Sequence, residues 1–373
     1  MKEKIVVIST MLDTQGIQQY SFDVVNTLNM MSYDVSFYLP DRKNILLPDN
    51  ISGLTKRYSV SNNPFSDKYK KLARDIDEDE PDVVYFTGNS VYSYIIICYL
   101  ASISKQKNYN IVLAIHDIEQ HPRHYYAIKD KLYQIYKKTV ISILTMRVFK
   151  TVKNIVLLSD NSYDSFKKRY PKYSEKGMVM KLVQHSPSDK FVRPKEMSEI
   201  NSFYLCFGKI DKYKNVEGLI DLFISSPVID ETKLVIAGSG EIEDAHYKKA
   251  VNNEKIVLIN RYIEDSEMNW LFSNCICIIL PYIQATQSGV MTLAFTFFKP
   301  VIASNIRPFS DDIKNGENGF LFMSDTEFYE ALNKVKEPSF LNSCRRYLEE
   351  YNATTLNQEK VLQNGLNVIL GKK

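Results

Sequence analysis

Short apolar runs rich in valine and isoleucine recur along the first half of the chain, and each ends in polar residues or a turn. The longer segments between them, such as Tyr20–Met31, place apolar residues at three-and-four spacing. Apolar strands that alternate with amphipathic helices are typical of a parallel sheet covered by helices. The pattern predicts six strands in this half: Lys4–Ile8, Asp34–Leu39, Asp82–Phe86, Asn110–Ile115, Asn154–Leu158 and Met178–Val183.

A polar segment after Gln184–Pro187 interrupts this pattern, and a second series of strands and helices begins at Phe203. Its predicted strands are Phe203–Phe207, Lys233–Ala237, Lys255–Ile259, Cys275–Leu280 and Val301–Ala303. Its predicted helices are Val216–Ser225, Asp265–Ser273 and Val290–Phe298. We therefore predict an α/β protein with two doubly wound domains that face each other across a cleft. They occupy residues 1–190 and 200–350, and a C-terminal helix in residues 351–373 is expected to pack back toward the first domain.

The charge balance argues against nucleic acid as a partner. Lysine and arginine number 47 against 44 aspartate and glutamate, which gives a net charge of only +3. Proteins that bind mainly the nucleic-acid backbone carry a larger basic excess. Any anion site must therefore be local.

Several features favour a cytoplasmic protein. The N-terminus leads directly into a strand, without the apolar region and cleavage site of a secretory signal. The longest apolar run, Tyr94–Ile103, is shorter than the ~20 residues that span a bilayer, and we expect a core helix there. The five cysteines are odd in number and lie mostly in apolar runs, so we expect buried reduced thiols. The spacing of Cys275 and Cys277 does not suit zinc.

In doubly wound sheets, ligands bind beyond the carboxyl ends of the strands. Three lysines, Lys209, Lys212 and Lys214, follow the first strand of the second domain and could converge on a diphosphate. The alternative is a solvated basic loop. Gly238-Ser239-Gly240 follows the next strand and permits close approach of a ligand, or forms a plain turn. Glu243 replaces the third glycine of a dinucleotide motif, which argues against a nicotinamide enzyme.

His116 and Asp117 follow a strand of the first domain, with His121 and His124 just beyond. This spacing matches no familiar zinc site, so we expect no metal. A structural role is one interpretation of His116. A neutral imidazole that donates to a sugar hydroxyl or a backbone oxygen is the functional one.

Two further segments could contact anions. The stretch from Pro281 to Asn305 predicts a strand, a turn of small residues and a helix, whose free N–H groups and dipole favour an anionic ligand.

The segment Lys129–Lys153 carries an apolar stripe flanked by Lys and Arg. It could rest on an anionic membrane surface or, as we favour, form an ordinary helix with a solvated face.

Together these positions resemble the glycosyltransferases of family 4, which have the GT-B fold of two Rossmann-like domains. The resemblance is strongest from Phe207 to Phe322. Gly208-Lys209 with Lys214 is similar to the family's diphosphate loop, and Leu234–Gly240 to its donor-domain strand and glycine turn. Lys299–Ser304 followed by Asn315–Leu321 resembles its last donor-domain block. In the first half, Thr14-Gln15-Gly16 stands at the family's glycine turn and His116 at its strand-end histidine.

The chain departs from the family at two glutamates, whose positions hold Ala285 and Leu293. Thr286–Gly289 resembles a Thr-Gln-Ser-Gly turn found in a subgroup. The resemblance then implies that Thr286 and Gln287 hold sugar hydroxyls, while the Ser288 and Gly289 amides face the diphosphate. Lys209 replaces a family arginine, and a point charge grips a diphosphate less firmly than a bidentate fork.

The resemblance implies a retaining hexosyl-type transferase that moves a sugar from a nucleotide diphosphate donor, UDP ahead of GDP, to an acceptor hydroxyl in bacterial surface polysaccharide synthesis. The implied catalytic residues are His116 and Gln287. The implied donor-binding residues are Gly16, Gly208, Lys209, Lys214, Gly238, Gly240, Arg261, Tyr262, Thr286, Ser288 and Gly289.

Neither a metal nor another cofactor is expected, because lysines and helix N-termini stabilise the developing charge. The acceptor is expected to be lipid-linked or an oligosaccharide, with peripheral contact at the cytoplasmic face of the plasma membrane. The missing glutamates also favour an alternative, a non-catalytic GT-B subunit that binds a nucleotide sugar or a partner enzyme. An epimerase of the same fold ranks last, because such an enzyme would show more buried acids and histidines.

Overall fold

The protein divides into two compact units, Met1–Val183 with Gln358–Lys373, and Gln184–Asn357. The computed structural model describes residues 2–10, 15–42, 45, 47, 51, 54–61, 63, 65–103, 109–116, 118, 141–181, 190–227, 231–285 and 287–372. The C-terminal segment thus belongs to the same unit as the N-terminus.

The first unit is built on a parallel sheet of seven strands. The strands are β1 (Lys4–Ile8), β2 (Asp34–Pro40), β3 (Leu54–Tyr58), β4 (Val83–Phe86), β5 (Asn110–Ile115), β6 (Asn154–Leu157) and β7 (Gly177–Val179), in the spatial order β3-β2-β1-β4-β5-β6-β7. Ile5 pairs with Val35 on one side and Val83 on the other. Because helices cover both faces, the apolar side chains of β1 are buried irrespective of the face they point to.

The described part of the first unit has six α-helices. They are α1 (Gln15–Met30), α2 (Asp67–Glu78), α3 (Val91–Ile103), α4 (residues 141–151), α5 (Asp160–Arg169) and the C-terminal α13 (Gln358–Leu370). In α2 the buried residues are Tyr69, Leu72, Ala73 and Ile76, at the spacing of one helix face. Helix α13 buries three apolar residues, and the Ile369 carbonyl accepts a 2.7 Å hydrogen bond from the Asn110 side chain on β5.

The second unit is built on a parallel sheet of six strands in the order β10-β9-β8-β11-β12-β13. The strands are β8 (Phe203–Phe207), β9 (Lys233–Ala237), β10 (Ile256–Ile259), β11 (Ile278–Leu280), β12 (Val301–Ser304) and β13 (Gly319–Phe322). The helices are α6 (Val216–Ile224), α7 (Asp244–Val251), α8 (Asp265–Asn274), α9 (Gly289–Thr296), α10 (Phe309–Asp312), α11 (Asp325–Lys334) and α12 (Pro338–Thr354).

The strand order sets the position of a ligand site in this unit. Strand β8 pairs with β9 on one side and with β11 on the other, so the chain reverses its direction across the sheet between β8 and β11. Connections that leave these two neighbouring strands run to opposite faces and leave a crevice at the carboxyl ends. The loops after β8 and β11 are the two that carry the predicted diphosphate residues.

The α/β class and the doubly wound sheets are confirmed, with corrections at element ends. Strand β11 begins at Ile278 and not at Cys275, because the Cys275 amide donates to Leu271 and closes helix α8. Strand β7 covers only Gly177–Val179. The sequence pattern missed β3, β13 and α7, of which β3 is polar at Lys56 and Arg57.

The expectations for the apolar run and the cysteines also hold. Tyr94–Ile103 lies within helix α3, and all five cysteines are free, four of them buried and Cys98 half-buried. Within the described residues, no helix is long and apolar enough to cross a membrane.

Candidate functional site

Gly208 lies at the carboxyl end of β8 with a backbone φ of 102°, in the left-handed region that favours glycine. Its amide donates to the Ala237 carbonyl at 2.9 Å, which holds the loop against β9. A Cβ at Gly208 would lie 2.7 Å from the Lys214 ammonium. The conformation of Gly208 therefore favours glycine, and a larger residue there would also displace the Lys214 ammonium.

Lys214 is the buried member of the predicted lysine loop, with an exposed fraction of 7%. A single turn of 3₁₀ helix, Lys212–Lys214, precedes it, and Asn215 then adopts a left-handed conformation that starts helix α6. The Lys214 Nζ lies 5.3 Å from the centroid of the Tyr282 ring. Among the described residues, no carboxylate lies within 4.0 Å of this ammonium. Lys209 and Lys212 are exposed.

Burial lowers the pKa of Lys214, because an ammonium removed from water loses its hydration. Cys206 and Asp211 oppose this shift, and the positive charge of Lys209 adds to it. A buried ammonium without a carboxylate partner retains an unbalanced charge, and an anionic ligand would balance it.

The segment after β11 joins this loop. The Ile283 amide donates to the Tyr213 carbonyl at 2.9 Å, and Val290 Cγ2 lies 3.6 Å from the position of a Cβ at Gly208. Ser288 caps helix α9, since its Oγ accepts from the Met291 amide at 3.2 Å. Gly289 is the first helical residue and is exposed. The structure thus brings Gly208, Lys214 and the N-terminus of α9 together.

The turn before α9 holds an unsatisfied acceptor. The Oε1 atom of Gln287 is buried and has no hydrogen-bond partner among the residues that the structure describes. Buried amide oxygens are almost always bonded, so an orphan of this kind is a candidate for ligand contact. Thr286, the other predicted sugar-binding residue, lies outside the described residues.

Gly238 and Gly240 pack two backbone loops together, and their contact with the donor stays a prediction. A Cβ at Gly238 would lie 2.0 Å from the Gly208 oxygen, and one at Gly240 would lie 2.1 Å from the Ile210 oxygen. Their amides donate to the Ile259 carbonyl and to Asn260 Oδ1, respectively. Glycine is needed here because two backbone loops touch.

The Arg261 guanidinium is fully engaged within the protein, and its role in donor binding stays a prediction. Its Nε and Nη2 donate to the Glu196 carboxylate at 3.0 and 2.9 Å, and Nη1 and Nη2 donate to Glu267 at 2.7 and 2.8 Å. Nη1 also donates to the Tyr262 carbonyl at 3.1 Å. Hydrogen bonds to Glu267 and then Glu196 raise the pKa of Arg261 above its usual range. All five donors of an arginine are used, so this side chain joins Glu196 to helix α8. The neighbouring Tyr262 side chain is exposed.

In the first unit, His116 is buried, and its Nε2 lies 2.7 Å from the Thr87 carbonyl. A carbonyl can only accept, so Nε2 carries the proton, in line with the expected donation to a backbone oxygen. The His116 amide donates to Asn89 Oδ1 at 3.1 Å, and the Tyr20 ring contacts the imidazole edge-on at 5.2 Å. Asp117, His121 and His124 lie outside the described residues.

Gly16, expected to bind the donor, keeps that role as a prediction. It lies in the first turn of helix α1, and residues 11–14 before it are outside the described part of the chain. In the segment Lys129–Lys153, residues 141–151 are helical, with Val148 and Phe149 buried and Ile143 and Met146 exposed. The remaining expectations for that segment fall on residues 119–140, which are not described.

One group of side chains in the described residues has the spacing of metal ligands. Candidate ligand atoms of Glu217, Glu243 and His246 all lie within 4.8 Å of one another. His246 Nε2 is 3.0 Å from Asp221 Oδ2, and the same carboxylate accepts from Lys249 at 2.6 Å. The two glutamates also lie at helix N-termini, where acidic residues are favourable without any metal.

Residues 188–353 match the family model described as glycosyl transferases group 1. The match covers the loops after β8 and β11 but less than half of the chain. No curated protein gives a significant match to the sequence.

Three solved structures resemble the chain over its whole length. The Anabaena protein HepE in complex with UDP and glucose has a TM-score of 0.72 and 14% identity, over 99% of this chain and 100% of that one. The lipopolysaccharide outer core galactosyltransferase WaaB has a TM-score of 0.67 and 16% identity, over 99% and 100%. WaaG, a glycosyltransferase involved in lipopolysaccharide biosynthesis, has a TM-score of 0.65 and 15% identity, over 98% of this chain and 100% of that one. The chain therefore has the GT-B fold.

Proposed function

We propose that the protein is a retaining glycosyltransferase that transfers a hexose from a nucleotide diphosphate sugar to an acceptor hydroxyl. The observation that carries this proposal is the Lys214 ammonium, which is buried over Gly208 beside the N-terminus of α9 and has no carboxylate within 4.0 Å in the described part of the chain. A diphosphate fits this position because its charge matches both the ammonium and the positive end of the helix. The family match to residues 188–353 and the UDP in the HepE structure support UDP as the nucleotide.

In the proposed reaction, the bond between the anomeric carbon and the diphosphate oxygen breaks, and a bond forms from that carbon to the acceptor oxygen. The acceptor proton passes to the leaving diphosphate, so the step needs no metal or redox partner. Lys214, the exposed Lys209 and the Ser288 and Gly289 amides stabilise the charge that develops on the leaving group. The unsatisfied Gln287 Oε1 accepts from a sugar hydroxyl.

His116 is proposed to act in sugar transfer and not in nucleotide binding. Its position is fixed by bonds to Thr87 and Asn89, so its ring is held in one orientation and one tautomer. His116→Ala should lower the transfer rate by roughly 10²-fold and leave the affinity for UDP unchanged. A variant that loses UDP binding instead would contradict this division of roles.

The proposed acceptor is a lipid-linked or oligosaccharide hydroxyl in the synthesis of a bacterial surface polysaccharide. The similarity to WaaB and WaaG, both named for lipopolysaccharide, supports this class. A lipid-linked acceptor would bring the protein to the cytoplasmic face of the membrane. Helix α4 offers Ile143 and Met146, exposed one turn apart beside Arg147, for such a peripheral contact.

A panel of UDP and GDP sugars with polysaccharide-precursor extracts tests the proposal, with released nucleoside diphosphate as the readout. We expect turnover with at least one donor, and loss of turnover in Lys214→Met. Lys248→Met, which removes an exposed lysine from α7, is the matched control. If a nucleotide binds but neither transfer nor hydrolysis follows with any extract, the non-catalytic alternative holds. Failure of every nucleotide to bind would refute both.

A further inference from the structure

Tyr282 lies two residues beyond the end of β11. Its exposed fraction is 3%. The ring makes edge-on contacts with Tyr213 and Phe309, with centroids 5.7 and 5.3 Å apart. Its face lies under the Lys214 ammonium, 5.3 Å from Nζ to the centroid. Two neighbouring aromatic rings therefore fix the ring that Lys214 contacts.

We propose that Tyr282 is a positioning residue that holds the Lys214 ammonium in place for the diphosphate. The ammonium lies close to two neutral groups, the backbone at Gly208 and the Tyr282 ring. This inference rests on the proposed function for its ligand, but not for the contact between the ring and the lysine.

The case for an aromatic ring here depends on charge. A ring face attracts a cation through its quadrupole and compensates part of the lost hydration. A carboxylate in the same position would compensate more, but it would pair with Lys214 and compete with the ligand. The sequence from Pro281 to Phe298 has no charged side chain at all. Tyr282 thus stabilises the ammonium without neutralising it.

The other groups that face Lys214 do not replace this contact. Burial raises the pKa of the Cys206 thiol to about 11, so the thiol is neutral near pH 7. Asp211 acts on Lys214 over a distance greater than an ion pair, and Lys209 repels it. Within the described residues, the Tyr282 ring is the aromatic face that contacts the ammonium.

The ring and the hydroxyl of Tyr282 can be separated by experiment. The hydroxyl oxygen is buried and faces the Ser288 side chain, and among the described residues no hydrogen bond joins it to Lys214. Tyr282→Phe keeps the ring, and Tyr282→Leu removes it. We expect Tyr282→Phe to bind UDP within about twofold of the wild type, and Tyr282→Leu to bind it roughly tenfold more weakly.

A double-mutant cycle distinguishes positioning from a general packing role. In a Lys214→Met background, Tyr282→Leu should change UDP affinity little, because the group that the ring positions is absent. An equal loss of affinity in both backgrounds would overturn the proposal. An equal loss of UDP affinity in Tyr282→Phe and Tyr282→Leu would also overturn the proposal, since the hydroxyl would then carry the effect.

A direct titration covers the case in which the wild type binds no UDP. The ¹⁵Nζ signal of Lys214, assigned by its disappearance in Lys214→Met, reports the lysine pKa without any ligand. We expect a lower pKa in Tyr282→Leu than in the wild type, and no change in Tyr282→Phe. If the wild type binds no UDP but the titration gives this result, the proposed function is refuted and the contact between the Tyr282 ring and Lys214 is still supported. An unchanged Lys214 pKa in Tyr282→Leu would refute the positioning role whatever the ligand.

Discussion

The ammonium of Lys214 occupies the space that a side chain at Gly208 would need, since a Cβ there would lie 2.7 Å from Nζ. The two residues are six positions apart, and the 3₁₀ turn between them brings the lysine back over the strand end. A predicted diphosphate loop is therefore already organised around one buried charge.

Gly208→Ala should displace the ammonium and weaken UDP binding by roughly tenfold or more. It should also lower the free energy of unfolding by about 1–3 kcal/mol, because a left-handed φ of 102° strains any other residue. Gly316→Ala is the matched control, since Gly316 has a φ of 81° but no atom within 4 Å of an added Cβ. The control should lose stability and keep UDP affinity, as measured by urea unfolding and calorimetry. Equal loss of affinity in both variants would contradict the model of a displaced lysine.

Lys214→Met should stabilise the protein at neutral pH while it weakens ligand binding. The pKa of Lys214 is lower in the folded protein than in the unfolded chain, so the folded state carries a cost wherever the lysine is charged. That cost is present below the folded pKa and disappears as the pH rises toward the unfolded value of about 10.4. The stability gain of the variant should therefore shrink with increasing pH in this alkaline window. A variant less stable than the wild type at pH 7 would contradict an uncompensated ammonium.

Arg261→Met should reduce stability and not UDP affinity. Removal of the guanidinium leaves Glu196 and Glu267 facing each other without a cation, at a cost of about 1–3 kcal/mol for this partly exposed pair. Arg345→Met removes an exposed helical pair with Glu349 and should change stability by less than about 0.5 kcal/mol. A selective loss of UDP binding in Arg261→Met would contradict this structural role and support the prediction of a donor-binding arginine.

Asp23→Asn should remove a pH dependence of the free energy of unfolding that arises in the first unit. Asp23 is buried in helix α1, and burial raises its pKa to about 7, against a smaller opposing effect of a hydrogen bond from Gln19. Between about pH 4 and 7 the unfolded chain ionises while the folded protein does not, so wild-type stability falls as the pH rises. The free energy of unfolding of the variant should exceed that of the wild type by up to about 4 kcal/mol across this range. The exposed Asp34→Asn is the control, and a difference that does not grow with pH would contradict the assignment.

The sequence pattern was sufficient to place the apolar strands and the lysine loop, because both depend on local spacing and on the rule for strand ends. It could not identify which lysine is buried. That depends on the left-handed backbone at Gly208 and Asn215 and on Tyr282, which follows a different strand. Tyr282 itself was missed because a tyrosine after an apolar strand is typical of any core.

Arg261 also shows that a local sequence pattern cannot identify a contact between residues far apart in the chain. It follows a strand, as ligand-binding arginines do, and its partner Glu196 is 65 positions away in the sequence. No local pattern indicates that pairing. Strand β3 was missed for a different reason: it lies at the sheet edge, where Lys56 and Arg57 replace the alternating apolar residues.

Calorimetric titration of UDP into the wild type, Lys214→Met and Lys248→Met tests the central claim most directly. We expect the wild type and Lys248→Met to bind UDP with equal affinity. Lys214→Met should bind it roughly 10- to 100-fold more weakly, because a charge-assisted contact to the diphosphate is lost. Equal affinity in all three proteins, or absence of UDP and GDP binding to the wild type, would contradict a diphosphate site at Lys214.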